Sequence, residues 1–194
     1  MSKLLKIYDN SIPKFLQDSI HNEVFKEKKI PWSYSNNIAG PDKGSYPGIF
    51  HSFLRNPHNI NSTEKPNIQE CFFTDYCHFF NQVLYSFTSL NNIVIYQIVD
   101  GRLFMNFPLI KAAETKRYIH TDKKYRHLVG LYYINDTDGD TIFYEDDEKT
   151  EIRKITPKKG RMAIFDGSIP HTGGYPTLRE RAILNFNFIG QIYE

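Results

Sequence analysis

The stretch Arg181-Ala182-Ile183-Leu184-Asn185-Phe186-Asn187-Phe188 alternates with a period of two. Successive side chains of an extended strand point to opposite faces. Ala182, Leu184, Phe186 and Phe188 therefore make one wholly apolar face, and Arg181, Ile183, Asn185 and Asn187 a mostly polar one. The apolar face is expected to pack on helices, with the arginine turned into a barrel. An arginine there is costly unless it meets an anion, and its planar fork suits a carboxylate. The two asparagines need hydrogen-bond partners in the same interior. Pairing of Arg181 with Glu180 or Asp166 in solvent is the competing reading.

Upstream of this strand the short period recurs. Residues 93–99, 102–107, 116–121, 127–135, 141–145, 151–156 and 161–165 each read as a strand, and residues 181–189 complete the set. Turn signals separate them, among them Asp100-Gly101, Asn135-Asp-Thr-Asp-Gly139 and Lys158-Lys-Gly160. Eight short strands so spaced point to a closed or sandwiched antiparallel structure. Before Asn91-Asn92 the period is helical. Ser11 as cap and Pro13 in the first turn, followed by Leu16, Ile20, Val24 and Phe25, predict an amphipathic helix over 12–28. From Pro66, the residues Ile68, Phe72, Tyr76, Phe79, Phe80, Val83, Leu84 and Phe87 recur at three and four and predict a second, with a broad buried face. The Pro-, Gly- and Asn-rich segment 31–67 reads as loop with a short strand near 48–54. Helices first and strands second make the class α+β, with the helices on one outer sheet face.

The 194 residues suit a single domain, with 1–91 as helical and loop support and 92–194 as the β core. A hydrophobic content of 40% is enough to fill that core and excludes a disordered chain. Lys and Arg (24) nearly balance Asp and Glu (22), so a polyanion-coating role is not written into the charge. No run approaches the ~20 apolar residues of a membrane span. The N-terminus lacks a signal peptide's apolar run, so a cytoplasmic location without a membrane partner is expected. Cys71 and Cys77 lie six apart in the second predicted helix, on different sides, and read as buried thiols. The 15 Phe and 13 Tyr favour β-rich packing.

His120-Thr121-Asp122 ends one predicted strand, and residues two apart project to the same face, as two ligands of one metal must. Arg161-Met-Ala-Ile-Phe-Asp166 then leads through Gly167-Ser-Ile-Pro170 to His171, displayed on a stiff turn as a third ligand. Two His and one carboxylate suit non-haem Fe(II), because they leave adjacent positions open for co-substrate and O₂. Each residue alone is read as readily as ordinary core or surface; the joint pattern points to the metal.

These pieces together resemble the 2-oxoglutarate and Fe(II)-dependent oxygenases, in particular the prolyl-4-hydroxylase-like branch and the small members found in phages. The resemblance spans roughly residues 92–190 and rests on several motifs. They are His120-Thr-Asp122, the strand and acidic turn from Leu131 to Phe143, the Pro157-to-Asp166 approach to His171, and Arg181 in the last strand. The turn Asp138-Gly-Asp140 departs from the Gly pair common in relatives. The resemblance implies a double-stranded β-helix, the jelly-roll or cupin-like architecture. It makes His120, Asp122 and His171 the iron ligands and Arg181 the partner of the 2-oxoglutarate C5 carboxylate, with no catalytic residue beyond the metal ligands. Asn106 and Tyr118 match places where relatives touch the co-substrate. The implied reaction is hydroxylation of a C–H bond with release of succinate and CO₂, with ascorbate open as a reductant.

The acidic turn 135–140 has its Gly too early for a calcium loop and reads as a solvated hairpin turn. No hydrolase, Walker, dinucleotide or zinc-protease motif occurs. Lys123-Lys-Tyr-Arg126 follows the metal motif and reads as a solvated loop, with reception of an anionic substrate as the sharper alternative. A prolyl-like peptide is the first expected substrate and a small molecule the second. A modified nucleobase comes third, since the near-neutral charge gives little support for nucleic acid. The other function classes in play are a non-catalytic jelly-roll binding protein and a cupin-like enzyme using another divalent metal without 2-oxoglutarate. An exposed Arg181 would favour the last.

Overall fold

The computed structural model describes residues 3–36, 38, 47–55, 72–109 and 118–193. Along the chain come β1 (Leu5–Tyr8), α1 (Lys14–Phe25), β2 (Ser33–Ser35), β3 (Gly48–Arg55), β4 (Phe72–Phe73), α2 (Tyr76–Leu90) and β5 (Ile93–Asn106). There follow β6 (Leu128–Tyr133), β7 (Thr141–Tyr144), β8 (Glu151–Ile155), β9 (Arg161–Asp166), β10 (His171–Gly173) and β11 (Arg181–Ile192). Eight strands form a large antiparallel sheet in the order β1-β9-β6-β11-β5-β3-β2, with β4 beside β3; β10-β7-β8 form a small one. No helix among the described residues is long and apolar enough to cross a membrane.

β11 runs through the middle of the large sheet, between β6 and β5. Its alternation divides the interior into two cores. Ala182, Leu184, Phe186 and Phe188 join one cluster with Leu16, Ile20 and Val24 of α1 and Phe80, Val83, Leu84 and Phe87 of α2. Ring contacts tie this layer together: Phe53 of β3 lies 5.1 Å from Phe80 and 5.7 Å from Phe186. Full burial of each such ring contributes up to about 3 kcal/mol. On the opposite face Ile183 joins Val129, Leu131, Tyr133, Ala163 and Phe165 of the large sheet with Phe143 and Ile155 of the small one.

Several local expectations are corrected. α2 starts at Tyr76, not near Pro66, because Phe72 and Phe73 pair with Leu54 and Arg55 of β3 and stand more than half exposed. An apolar spacing cannot distinguish a helical face from a strand laid on an available edge. Ile68 and Cys71 lie outside the described residues; Cys77 is buried on α2. α1 starts at Lys14, and Ser11 does not cap it. The buried Ser11 hydroxyl donates instead to the Gly160 carbonyl at 2.9 Å, tying the helix start to the turn before β9. Residues 118, 119 and 121 are not strand; 116 and 117 lie outside the described residues. The strand expected near 48–54 is β3, and β1, β2 and β4 also precede residue 92, so the first part of the chain contributes four strands to the large sheet.

Asp100-Gly101 is not a turn, since β5 runs through it for 14 residues. Gly101 is there for space: a Cβ on it would lie 2.2 Å from Cε2 of the fully buried Phe53. Gly101→Ala is therefore expected to lower unfolding stability by about 1–3 kcal/mol through overpacking. Urea denaturation checks this, and an unchanged midpoint would mean that the Phe53 ring has room to move.

The acidic turn after β6 has a structural use. The Asp138 carboxylate accepts from the Thr177 and Leu178 backbone N–H groups at 2.9 and 3.1 Å, and from the Thr177 hydroxyl. These donors hold Asp138 below the ordinary carboxylate pKa, against the opposing effect of burial. Gly139 takes φ +87° and packs backbone to backbone against Gly174, so the loop that delivers β11 is fixed at this point.

Candidate metal centre

His120 and His171 exchange both backbone hydrogen bonds, 3.0 and 2.9 Å, in an isolated antiparallel bridge. Residues opposed in this way project their side chains to the same side. The two rings consequently face one another at 4.8 Å between centroids. His171 does not sit on a turn; it opens β10, paired with Phe143 of β7. Phe143 and Phe165 flank its ring at 6.0 and 5.0 Å.

Asp122 completes the group. Its Oδ1 lies 3.6 Å from His120 Nε2 and 3.8 Å from His171 Nε2, and the three ligand atoms all fall within 4.8 Å of one another. Ligands at ~2.1 Å from one metal sit about 3 Å apart when adjacent, so a metal would draw Asp122 Oδ1 and each imidazole nitrogen together by less than ~1 Å. The other carboxylate oxygen, Oδ2, accepts from Asn185 Nδ2 at 3.1 Å. Asn187 Nδ2 in turn donates to Asn185 Oδ1 at 3.0 Å. The polar face of β11 thus orients Asp122 and leaves Oδ1 toward the imidazoles.

The ring nitrogens are assigned by their partners. His171 Nδ1 is 3.0 Å from the Ile169 carbonyl and His120 Nδ1 3.3 Å from the Tyr118 carbonyl. A carbonyl can only accept, so in each neutral ring the hydrogen belongs on Nδ1 and the Nε2 lone pair faces Asp122. Burial, and then the neighbouring His120, push the His171 pKa down to about 4. Burial also opposes charge on His120, but the Asp122 carboxylate more than offsets this and the net shift is upward. Asp122 is held well below the usual range by both imidazoles and Asn185, against its burial. This is an anionic carboxylate between a neutral ring and a readily protonated one, a donor set suited to a divalent cation.

Arg181 occupies the other end of the same β11 face, 2% exposed. Its Nη2 donates to Thr141 Oγ1 at 2.7 Å, and its guanidinium carbon stands 5.7 Å from the centre of the Tyr133 ring. No carboxylate among the described residues pairs with it, and its buried Nε has no partner. Asn106, directly opposite on β5 and also buried, presents a second unpartnered donor, Nδ2. Two orphaned N–H donors and an uncompensated cation in one interior match a carboxylate ligand. Glu180 and Asp166 do not take this role. Tyr118 stacks on His120, with rings 5.4 Å apart and inclined by 8°.

The structure thus gathers His120, Asp122, His171 and Tyr118 at one end of the interior and Arg181 with Asn106 at the other. Four neighbours of the site escape sequence reasoning. Thr141 holds Arg181, and the ionic group of Asp100, Arg102 and Lys123 lies beside Asp122. Lys123 is not in a solvated loop: it is buried, and its Nζ donates to Asp100 Oδ2 at 2.9 Å. The charge pattern D-x-R across a strand is the signal that could have found the pair.

No protein-family model and no curated protein matches the sequence. Solved structures do. A prolyl-4-hydroxylase of Pseudomonas putida is similar at 13% identity over 97% of this chain and 93% of that one, with a TM-score of 0.58. A prolyl hydroxylase of Trichoplax adhaerens, in complex with a hypoxia inducible factor oxygen degradation domain peptide fragment, is similar at 14% identity, 95% and 83% coverage, and a TM-score of 0.59. HygX of Streptomyces hygroscopicus, with nickel, 2-oxoglutarate and hygromycin B bound, is similar at 8% identity, 95% and 82% coverage, and a TM-score of 0.53. The fold is accordingly the double-stranded β-helix of the 2-oxoglutarate oxygenase structures.

Proposed function

We propose that this chain is a cytoplasmic Fe(II)- and 2-oxoglutarate-dependent dioxygenase that hydroxylates a C–H bond of a prolyl-like peptide or a small molecule. One observation carries the reading: a His-Asp-His ligand set and a buried arginine with no carboxylate partner among the described residues share one interior. The first suits ferrous iron, and the second suits the distal carboxylate of a keto diacid. The fold likeness adds that HygX, a structural neighbour, holds nickel and 2-oxoglutarate, and that another neighbour is complexed with a peptide. The burial of Arg181 disfavours a divalent-metal cupin that works without 2-oxoglutarate.

In this reading His120, Asp122 and His171 hold the metal, Arg181 and Thr141 the C5 carboxylate, and Asn106 and Tyr118 line the co-substrate. The bound pair supplies the oxidising power: 2-oxoglutarate, O₂ and R–H give succinate, CO₂ and R–OH, one oxygen atom entering each oxidised product. The protein's own work is positional. Asn185 fixes the Asp122 carboxylate, the Ile169 and Tyr118 carbonyls set the imidazole tautomers, and Phe143 and Phe165 keep water from His171.

An anaerobic optical titration tests the reading: protein, Fe(II), then 2-oxoglutarate, followed through the weak visible charge-transfer band of a keto acid chelated to ferrous iron. The band is expected in the native protein and lost in His171→Ala. Its absence from well-folded native protein would remove the oxygenase reading and leave a binding barrel. The same titration has a pH sign. His120 titrates above 6.5 and must shed its proton to ligate, whereas His171 is already neutral. Iron affinity should therefore fall by at least about tenfold from pH 7.5 to 5.5.

A further inference from the structure

A second arginine stands on the site face of the large sheet. Arg102 of β5 lies directly opposite Asn185 of β11, the asparagine that holds Asp122, and opposite Ser52 of β3. Opposed residues share a face, and the Asp122 charge acts on Arg102. Arg102 Nε and Nη2 are engaged by Asp100 at 3.3 and 2.5 Å, while Nη1 hydrogen-bonds none of the described residues. The Asp100 carboxylate, 2% exposed, also accepts from Lys123. Two cations on one buried carboxylate leave one positive charge without a partner. Asp122 acts on Arg102 only through space, because its oxygens face Asn185 and the two imidazoles and no ion pair joins it to Arg102. The accessible member of the cluster is the arginine: its side chain is 29% exposed and that of Lys123 only 7%.

The surroundings describe what could meet it. Phe104, two residues on along β5, and Phe50, its opposite on β3, share the face with Arg102 and are half-buried. Arg181 is four residues from Asn185 along β11, at the far end of the same face. The ligand group thus lies between a sealed arginine and an open one. An ordinary structural ion pair would need only one cation on Asp100. A second one, held by a bidentate contact with one nitrogen left over, has the geometry of a receptor for an oxyanion.

We propose that Arg102 binds an oxyanion of the substrate, a carboxylate or phosphate carried on an apolar body that rests on Phe50 and Phe104. Asp100 and Lys123 are positioning residues that hold the guanidinium toward the metal centre. This rests on the oxygenase reading and narrows its substrate to an anionic molecule or an acidic peptide.

The test uses phenyl phosphate, benzoate and uncharged benzamide as probes, titrated calorimetrically into the protein loaded anaerobically with Fe(II) and 2-oxoglutarate. At least one anion should bind better than benzamide, and whichever binds identifies the oxyanion. R102Q should weaken that anion at least about tenfold while leaving benzamide and the 2-oxoglutarate-dependent optical band unchanged. Equal anion affinity in native protein and R102Q, or no preference for either anion over benzamide, overturns the proposal. Should R102Q unfold, phenylglyoxal labelling of native protein decides: the peptide bearing Arg102 is protected by the binding anion but not by benzamide or 2-oxoglutarate. Loss of that protection overturns the proposal. The two readings fail separately, since an absent optical band with Arg102 protected removes the oxygenase, and a present band with Arg102 unprotected removes the anion site.

Discussion

Asp122→Ala is expected to cost the protein its iron and, with it, all 2-oxoglutarate-dependent turnover. Loss of groups that merely support a ligand already lowers metal affinity by about 10–100-fold, so loss of the only anionic ligand should exceed the upper end of that range. The fold should survive. Asp122 lies in a loop segment between β5 and β6, and its contacts are the two imidazoles and one asparagine. Removing it leaves half-buried Asn185 Nδ2 without that acceptor, a penalty of about 1 kcal/mol. The variant also strips His120 of the charge that raises its pKa, leaving burial to lower it. Equilibrium dialysis against Fe(II), read beside circular dichroism, separates lost metal from lost fold. Native iron occupancy in Asp122→Ala would remove this carboxylate from the centre.

Much of this architecture is legible in the sequence because it follows from local alternation. β11 is the clearest case. Its two faces are chemically opposite, and the structure puts Phe186 and Phe188 against the helices and Arg181 in the interior, as the period of two requires. What the sequence does not carry is pairing at a distance. Nothing between residues 120 and 171 announces that those histidines share a two-bond bridge, since a bridge is a property of two backbones meeting. Of the strand expected over 116–121, the described residues 118–121 keep only that single bridge at His120, and the side-by-side projection of His120 and Asp122 has to come from the loop.

The ionic group beside Asp122 was hidden for a related reason. Asp-Gly is a strong local turn signal, and reading Asp100-Gly101 as a turn places the flanking charges of Asp100 and Arg102 in solvent. The glycine instead answers to Phe53, a contact 48 residues away that no local rule anticipates. Once β5 is continuous, the same two residues fall on the interior face. Lys123 then finds its acceptor at Asp100 in the protein, where a solvated loop would have left it in water. Tertiary packing thus turned a presumed turn and a presumed surface charge into one buried cluster.

Arg181→Met should have opposite effects on binding and on stability, and that opposition is what makes it diagnostic. Among the described residues the Arg181 charge has no anionic partner, only Thr141 Oγ1 and the Tyr133 ring. Replacing an uncompensated buried ionic group by an apolar side chain of similar length is commonly neutral or stabilising by about 1–4 kcal/mol, so the unfolding temperature without ligand should hold or rise. With 2-oxoglutarate the sign reverses. Truncating one partner of a buried charge pair costs about 2–5 kcal/mol of binding, which is roughly 30-fold to several thousandfold in affinity. Native protein should gain thermal stability on adding 2-oxoglutarate with metal present, and Arg181→Met should gain little. Because the metal ligands are untouched, Fe(II) alone should bind both proteins alike. A structural arginine would instead show lost stability with unchanged 2-oxoglutarate dependence, and that result would mean another cation holds the co-substrate.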